Sequence, residues 1–79
     1  MSPHEVIVYS SNGCSYCDQV KTFLKEKGIK FEERNASINK AYLDQLKEKK
    51  IFATPAIFID GKLVLGFQEK KLSKLLGLT

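Results

Sequence analysis

The chain has 79 residues, of which 43% are hydrophobic and 28% charged, and it carries a formal net charge of +4. That size suits a single compact domain over residues 1–79 and leaves little room for a second. The composition excludes a disordered chain, no apolar stretch approaches the ~20 residues of a membrane span, and Met1 to Glu5 lack the basic-then-apolar pattern of a secretory signal.

Val6-Ile7-Val8-Tyr9 is a β-branched and aromatic run. Its continuous apolarity predicts a strand buried on both faces, as in the middle of a parallel sheet. Ser10 to Gly13 break the pattern with turn formers. From Ser15 to Lys27 the period becomes helical, with Cys17, Val20, Phe23 and Leu24 on one face and Gly28 placed for a left-handed cap. Ile29 and Phe31 restart an extended segment reaching Asn35, polar enough to be an edge strand. Ser37 or Asn39 can cap a second helix. Ile38, Tyr42 and Leu46 are expected to share its inner face, and Lys47 to Lys50 to form its solvated end. Thr54-Pro55 cannot continue a helix. Ala56 to Ile59 and Lys62 to Leu65 read as a hairpin around Asp60-Gly61, a pair suited to positive φ. Gly66 ends the return strand, and a last helix carries Leu72, Leu75 and Leu76. The order β-α-β-α-β-β-α predicts an α/β fold with a right-handed parallel crossover first and an antiparallel hairpin later.

The chain has two cysteines, Cys14 and Cys17, separated by Ser15 and Tyr16. A bridge between them closes too short a loop to add much stability, so chemistry explains the pair better than scaffolding. The pair stands where a buried strand gives way to a helix. Free N–H groups and the positive end of the helix dipole favour a thiolate there, which places the expected Cys14 pKa below the free value of ~8.5. One helical turn puts the second sulfur beside the first. Cys17 falls on the apolar stripe and is expected to be buried and slower to meet outside thiols. Two other readings stand beside this one: a pair of packed core cysteines, or a metal or cluster shared between two chains, since C-x-x-C supplies two of the four ligands a structural zinc takes. The lone His4 lies on an N-terminus expected to fray. Lysine is interleaved with glutamate, and no basic run alternates with aromatics, so nucleic acid is not an expected partner.

The strand-C-x-x-C-helix start, Thr54-Pro55 ahead of a strand, and Gly66 after the Asp60-Gly61 hairpin occur in an order that resembles the glutaredoxins, over roughly residues 5 to 76. The resemblance implies a thioredoxin fold with a four-stranded mixed sheet and three helices. It implies catalysis of dithiol–disulfide exchange by Cys14 and Cys17, with no metal or prosthetic group and with glutathione as a co-substrate. It further implies that Pro55 is cis and packs against the disulfide, and that the Thr54 backbone pairs with an extended substrate. Disulfide-containing proteins are the implied partners, reduced in the cytoplasm by a monomer.

The departures bear on the reductant. Glutaredoxins commonly have proline after the first cysteine, where this chain has Ser15. They often carry a lysine three residues before it, which helps hold a glutathione carboxylate; here that position is Ser11. Their Gly-Gly and following aspartate are replaced by Gly66-Phe67-Gln68-Glu69-Lys70. Gly-Phe at this place is similar to the glutaredoxin-like hydrogen donors of ribonucleotide reductase, some of which are reduced by a thioredoxin-reductase-type flavoprotein. Tyr16, expected to be exposed, and Phe67, a candidate apolar wall, complete the candidate substrate-binding set with Thr54, Pro55, Gly66 and Gln68. Lys21 reads as a solvated helix lysine.

Overall fold

The computed structural model describes residues 4–78. The single-domain expectation over 1–79 and the reading of Met1 to Glu5 as free of a leader extend in part onto residues 1–3 and 79, which lie outside it. The elements in chain order are β1 (Val6–Ser10), α1 (Ser15–Glu26), β2 (Glu32–Asn35), α2 (Lys40–Glu48), β3 (Ala56–Ile59), β4 (Lys62–Leu65) and α3 (Glu69–Leu75).

Side-chain alternation along β1 sets the layering. Val6 and Val8 point to one face of the sheet, Ile7 and Tyr9 to the other. Val6 and Val8 join Ile57, Ile59 and Val64 in a cluster closed by Val20, Phe23 and Leu24 of α1 and Leu72 of α3. Tyr9 and Ala56 meet Leu46 of α2 and Ile51 in a second cluster, flanked by Ile7, Phe58 and Leu63. Helices α1 and α3 thus cover one face and α2 the other, which is why β1 is apolar from Val6 to Tyr9. The strand order is β2-β1-β3-β4. β1 is parallel to β2 but antiparallel to β3, so the sheet is mixed around a central β1, the four-stranded mixed arrangement that the resemblance implies. The β3–β4 pair is antiparallel, turning through Asp60 at φ 51° and Gly61 at φ 84°. Those paired positive values are what a two-residue hairpin requires.

Three expectations are corrected. Ile29 and Phe31 do not belong to a strand; β2 is limited to Glu32–Asn35. The Ile29 N–H donates back to the Leu24 carbonyl, and both side chains pack onto the first cluster, so their apolarity serves the core rather than sheet pairing. Ile38 precedes α2 and is 75% exposed, because the helix is capped at Asn39, whose side chain accepts from the Ala41 N–H at 3.0 Å. The alternative cap, Ser37, accepts instead from the Asn12 N–H at 2.9 Å. His4 is held at the N-terminal end of β1, its Nδ1 hydrogen-bonded to Asp60 Oδ2 while the Glu5 N–H donates to Asp60 Oδ1.

The polar edge strand is fastened by Arg34. Its guanidinium donates to the Tyr9 hydroxyl at 2.8 Å and to Gln45 Oε1 at 3.1 Å, and it lies 5.5 Å from the Tyr9 ring centre and 5.8 Å from that of Tyr42. One side chain therefore joins β2 to β1 and α2 by charge-assisted hydrogen bonds and cation–π contact.

The core generates a direct prediction. Leu24 is fully buried in the first cluster, so Leu24→Ala is expected to lower the unfolding free energy by about 3 kcal/mol, measured by urea unfolding of the full chain.

Candidate active site

β1 delivers the chain to the site and a short polar loop turns it. Gly13, at φ 72°, occupies the left-handed region just before Cys14. The loop is tied down from β2: the Ala36 N–H donates to the Ser10 carbonyl at 2.8 Å and the Asn35 side chain to Asn12 Oδ1 at 3.1 Å. Cys14 then serves as the N-cap of α1, in an extended conformation, with its Sγ accepting from the Cys17 N–H at 3.1 Å. The sulfur thus takes the place of a capping oxygen and faces the free N–H groups of the first turn.

Cys14 and Cys17 are joined as a disulfide with a Cα separation of 5.3 Å, within the range such a bond requires. Cys14 is half-buried, whereas Cys17 is only 1% exposed. The inward placement expected of Cys17 from the apolar stripe of α1 is what the helix shows. Tyr16, between them, is 59% exposed.

Thr54-Pro55 reaches the same place from the neighbouring strand, just ahead of β3, whose Ala56 pairs with Tyr9 of β1. The peptide bond is cis and Pro55 is buried at the start of β3. Thr54 Oγ1 lies 3.8 Å from Cys14 Sγ as a hydrogen-bond donor, and 2.7 Å from Ser11 Oγ. Gly66, after β4, donates its N–H to the Pro55 carbonyl at 2.9 Å. Phe67 turns onto α1, its ring edge-to-face with Phe23 at 5.9 Å, while the Gln68 amide donates to the Leu65 carbonyl at 2.6 Å. Of the residues singled out from the sequence, Cys14, Cys17 and Thr54 are thus directly bonded to one another or hydrogen-bonded. Pro55 and Gly66 support them through the backbone. Phe67 and Gln68 are engaged in local packing and turn closure. Beside Ser11 and Thr54 opens a cleft of about 500 Å³, lined also by Leu43, Lys47, Ile51 and Phe52. Phe52 is 81% exposed.

Two groups of residues were not singled out as site residues. Ser11 stands in the sequence only where glutaredoxins often have a lysine; its approach to Thr54 crosses 43 positions of sequence and follows from the fold alone. Glu33, Ser10 and Lys21 form a polar bracket under the loop. Glu33 Oε2 accepts from the buried Ser10 hydroxyl at 2.8 Å and from Lys21 Nζ at 2.9 Å. Lys21 also approaches Asp18 at 3.5 Å, so it is paired rather than simply solvated as expected.

The Lys21 hydrogen bond, then that from Ser10, holds the Glu33 carboxyl below its ordinary value. The same pairing with Glu33 raises Lys21. A depressed carboxyl contributes stability that is fully present above its unfolded pKa, about 4.3, and is lost as pH falls through the lower folded value. Glu33→Gln should therefore be less stable than the parent at pH 7 and flatter between pH 5 and 3, checked by thermal melts across that range.

A sheet of this order, with a C-x-x-C pair capping the first helix and a cis-proline beside it, defines a dithiol redox protein of the thioredoxin fold. The chain belongs to the glutaredoxin family: the family model described as glutaredoxin matches residues 6–64. It is a glutaredoxin-like thiol–disulfide oxidoreductase. A glutaredoxin-like protein NrdH of Lactococcus lactis subsp. lactis is 36% identical over 70 residues, spanning 89% of this chain and 97% of that protein. An uncharacterised glutaredoxin-like 8.6 kDa protein in the rubredoxin operon of Clostridium pasteurianum is 30% identical, spanning 87% of this chain and 93% of its own length. Among solved structures, a thioredoxin-like protein superposes with a TM-score of 0.84 at 36% identity, over 91% of this chain and 100% of the other. The NrdH-redoxin of Escherichia coli shares the fold, with a TM-score of 0.81 at 20% identity over 90% and 93% of the two chains.

Proposed function

We propose that Cys14 is the attacking thiol and Cys17 the resolving thiol of a cytoplasmic, monomeric reductase of protein disulfides and glutathione mixed disulfides. The observation that carries this reading is the contrast between the sulfurs: Cys14 Sγ caps a helix at the half-buried rim, while Cys17 is sealed inside. In the reduced state the helix terminus favours the Cys14 thiolate. That thiolate attacks one sulfur of a substrate disulfide, forming a new S–S bond and releasing the other substrate sulfur as a thiolate. Cys17, after losing its proton, attacks Cys14 Sγ and expels the second substrate thiolate. The substrate gains two electrons and the protein is left with the Cys14–Cys17 bridge. The cycle uses side-chain sulfur alone and calls for no metal or prosthetic group. A reducing cytoplasm is the compartment in which such a bridge is transient.

Substrate is held, in this reading, along Thr54-Pro55. An extended peptide or glutathione pairs its backbone with Thr54, as an added strand would. Tyr16 is the exposed aromatic at the rim, and Gly66, Phe67 and Gln68 border the far side. Glutathione is the favoured reductant. A second reading, reduction by a thioredoxin-reductase-type flavoprotein, is favoured by Ser11 standing where a lysine would meet a glutathione carboxylate. The packing of Phe67 and Gln68 into local contacts favours it as well.

Cys14→Ser is expected to abolish reduction of a disulfide substrate, whereas Cys17→Ser should accumulate a mixed disulfide on Cys14, seen by intact mass under non-reducing conditions. Loss of substrate attack in Cys17→Ser alone would reverse the two roles. For the reductant, NADPH oxidation with glutathione and glutathione reductase is the expected activity. Turnover with thioredoxin reductase and none with glutathione would assign the second reading.

A further inference from the structure

We propose that Ser11 is a positioning residue for the reacting sulfur, acting through the Thr54 hydroxyl as a neutral two-step relay; this rests on Cys14 being the attacking thiol. Ser11 Oγ and Thr54 Oγ1 are 2.7 Å apart, and Thr54 Oγ1 stands 3.8 Å from Cys14 Sγ. Each hydroxyl carries one proton and can also accept. A thiolate can only accept, so when Cys14 ionises the Thr54 proton must point to the sulfur. The Thr54 oxygen is then left with lone pairs, and the Ser11 proton fills one of them. The direction of both bonds is thereby set by the charge on Cys14, and each bond strengthens the next.

Ser11 is well placed to hold that direction. A lone threonine hydroxyl rotates among several partners, including water. With Ser11 donating to it, the Thr54 proton is directed away from Ser11 and towards the sulfur. Ser11 is itself held on both sides. Ser10 before it is buried and bonded to Glu33, and the Asn12 N–H after it donates to Ser37. Thr54 is anchored through the next residue, whose carbonyl accepts from Gly66. The relay supplies dipoles and no net charge. It therefore favours the anion without adding a cation at the sulfur itself; the cation that lines the adjoining cleft, Lys47, belongs to α2 and is no part of the relay.

The test is the pH dependence of Cys14 alkylation by iodoacetamide in the reduced full-length protein, read by mass on the Cys14 peptide. Thr54→Val, which keeps shape and removes the hydroxyl, is expected to raise the midpoint by about one pH unit. Ser11→Ala should raise it by about half a unit, equivalent to roughly threefold slower alkylation well below the midpoint, and Ser11→Thr should restore it. In a Thr54→Val background Ser11→Ala should add nothing, a non-additivity that a merely structural serine does not produce. An unchanged midpoint in Ser11→Ala, or a full additional shift in the Thr54→Val background, overturns the relay. Should Ser11→Ala fail to fold, Ser11→Gly, which also removes the hydroxyl, takes its place: a midpoint equal to the parent's overturns the relay. Failure of the Cys14 assignment shows separately, as disulfide reduction surviving in Cys14→Ser.

Discussion

Everything about this site depends on one capping interaction. The first turn of α1 has N–H groups with no partner inside the helix, and the chain meets one of them with the Cys14 sulfur instead of a serine or aspartate oxygen. An oxygen cap would end the matter as helix stability. A sulfur cap places one member of the redox-active C-x-x-C pair in the field of the helix, next to a second sulfur that the helical repeat has turned inward. The strand before it fixes the start of the loop, and the neighbouring Thr54 brings its hydroxyl to 3.8 Å from the sulfur.

The fold explains why so short a chain can do this. β1 is the shared wall of two cores, and its alternating side chains are divided between them. The strand is therefore fixed from both faces, and its last residue, Ser10, is buried and bonded to Glu33. The loop that follows begins from a rigid point. Thr54-Pro55 is fixed in the same sheet through β3, which pairs with β1 along its length. The two halves of the site are thus set by adjacent strands, although Ser11 and Thr54 are far apart in sequence.

Much of this was legible in the residues. The apolar run at Val6, the helical stripe through Cys17, Val20 and Leu24, and the Asp60-Gly61 turn each follow from local rules, and they gave the order of elements. The inward face of Cys17 followed from the stripe. What was not legible depended on distant partners. Ile29 and Phe31 look like strand residues because their apolarity is the same whether it faces a sheet neighbour or a helix. Ile38 fits the α2 stripe by spacing, but the cap at Asn39 starts the helix after it. Lys21 gave no sign of Glu33, and Ser11 none of Thr54, because hydroxyl and charge pairs carry no periodicity. The cis state of Pro55 came from family resemblance, since an X-Pro pair has the same sequence in either form.

Arg34 carries a consequence of its own. In a chain whose other strong cations are all lysines, the single guanidinium sits where three elements meet, stacked near two tyrosines and bonded to Gln45. A flat cation can lie against a ring while its edges donate; an ammonium is a point and cannot do both. The edge strand and the helix on that face are therefore joined by shape as much as by charge. Exchanging this arginine for lysine would preserve every electrostatic tally of the protein and still unclasp one side of it.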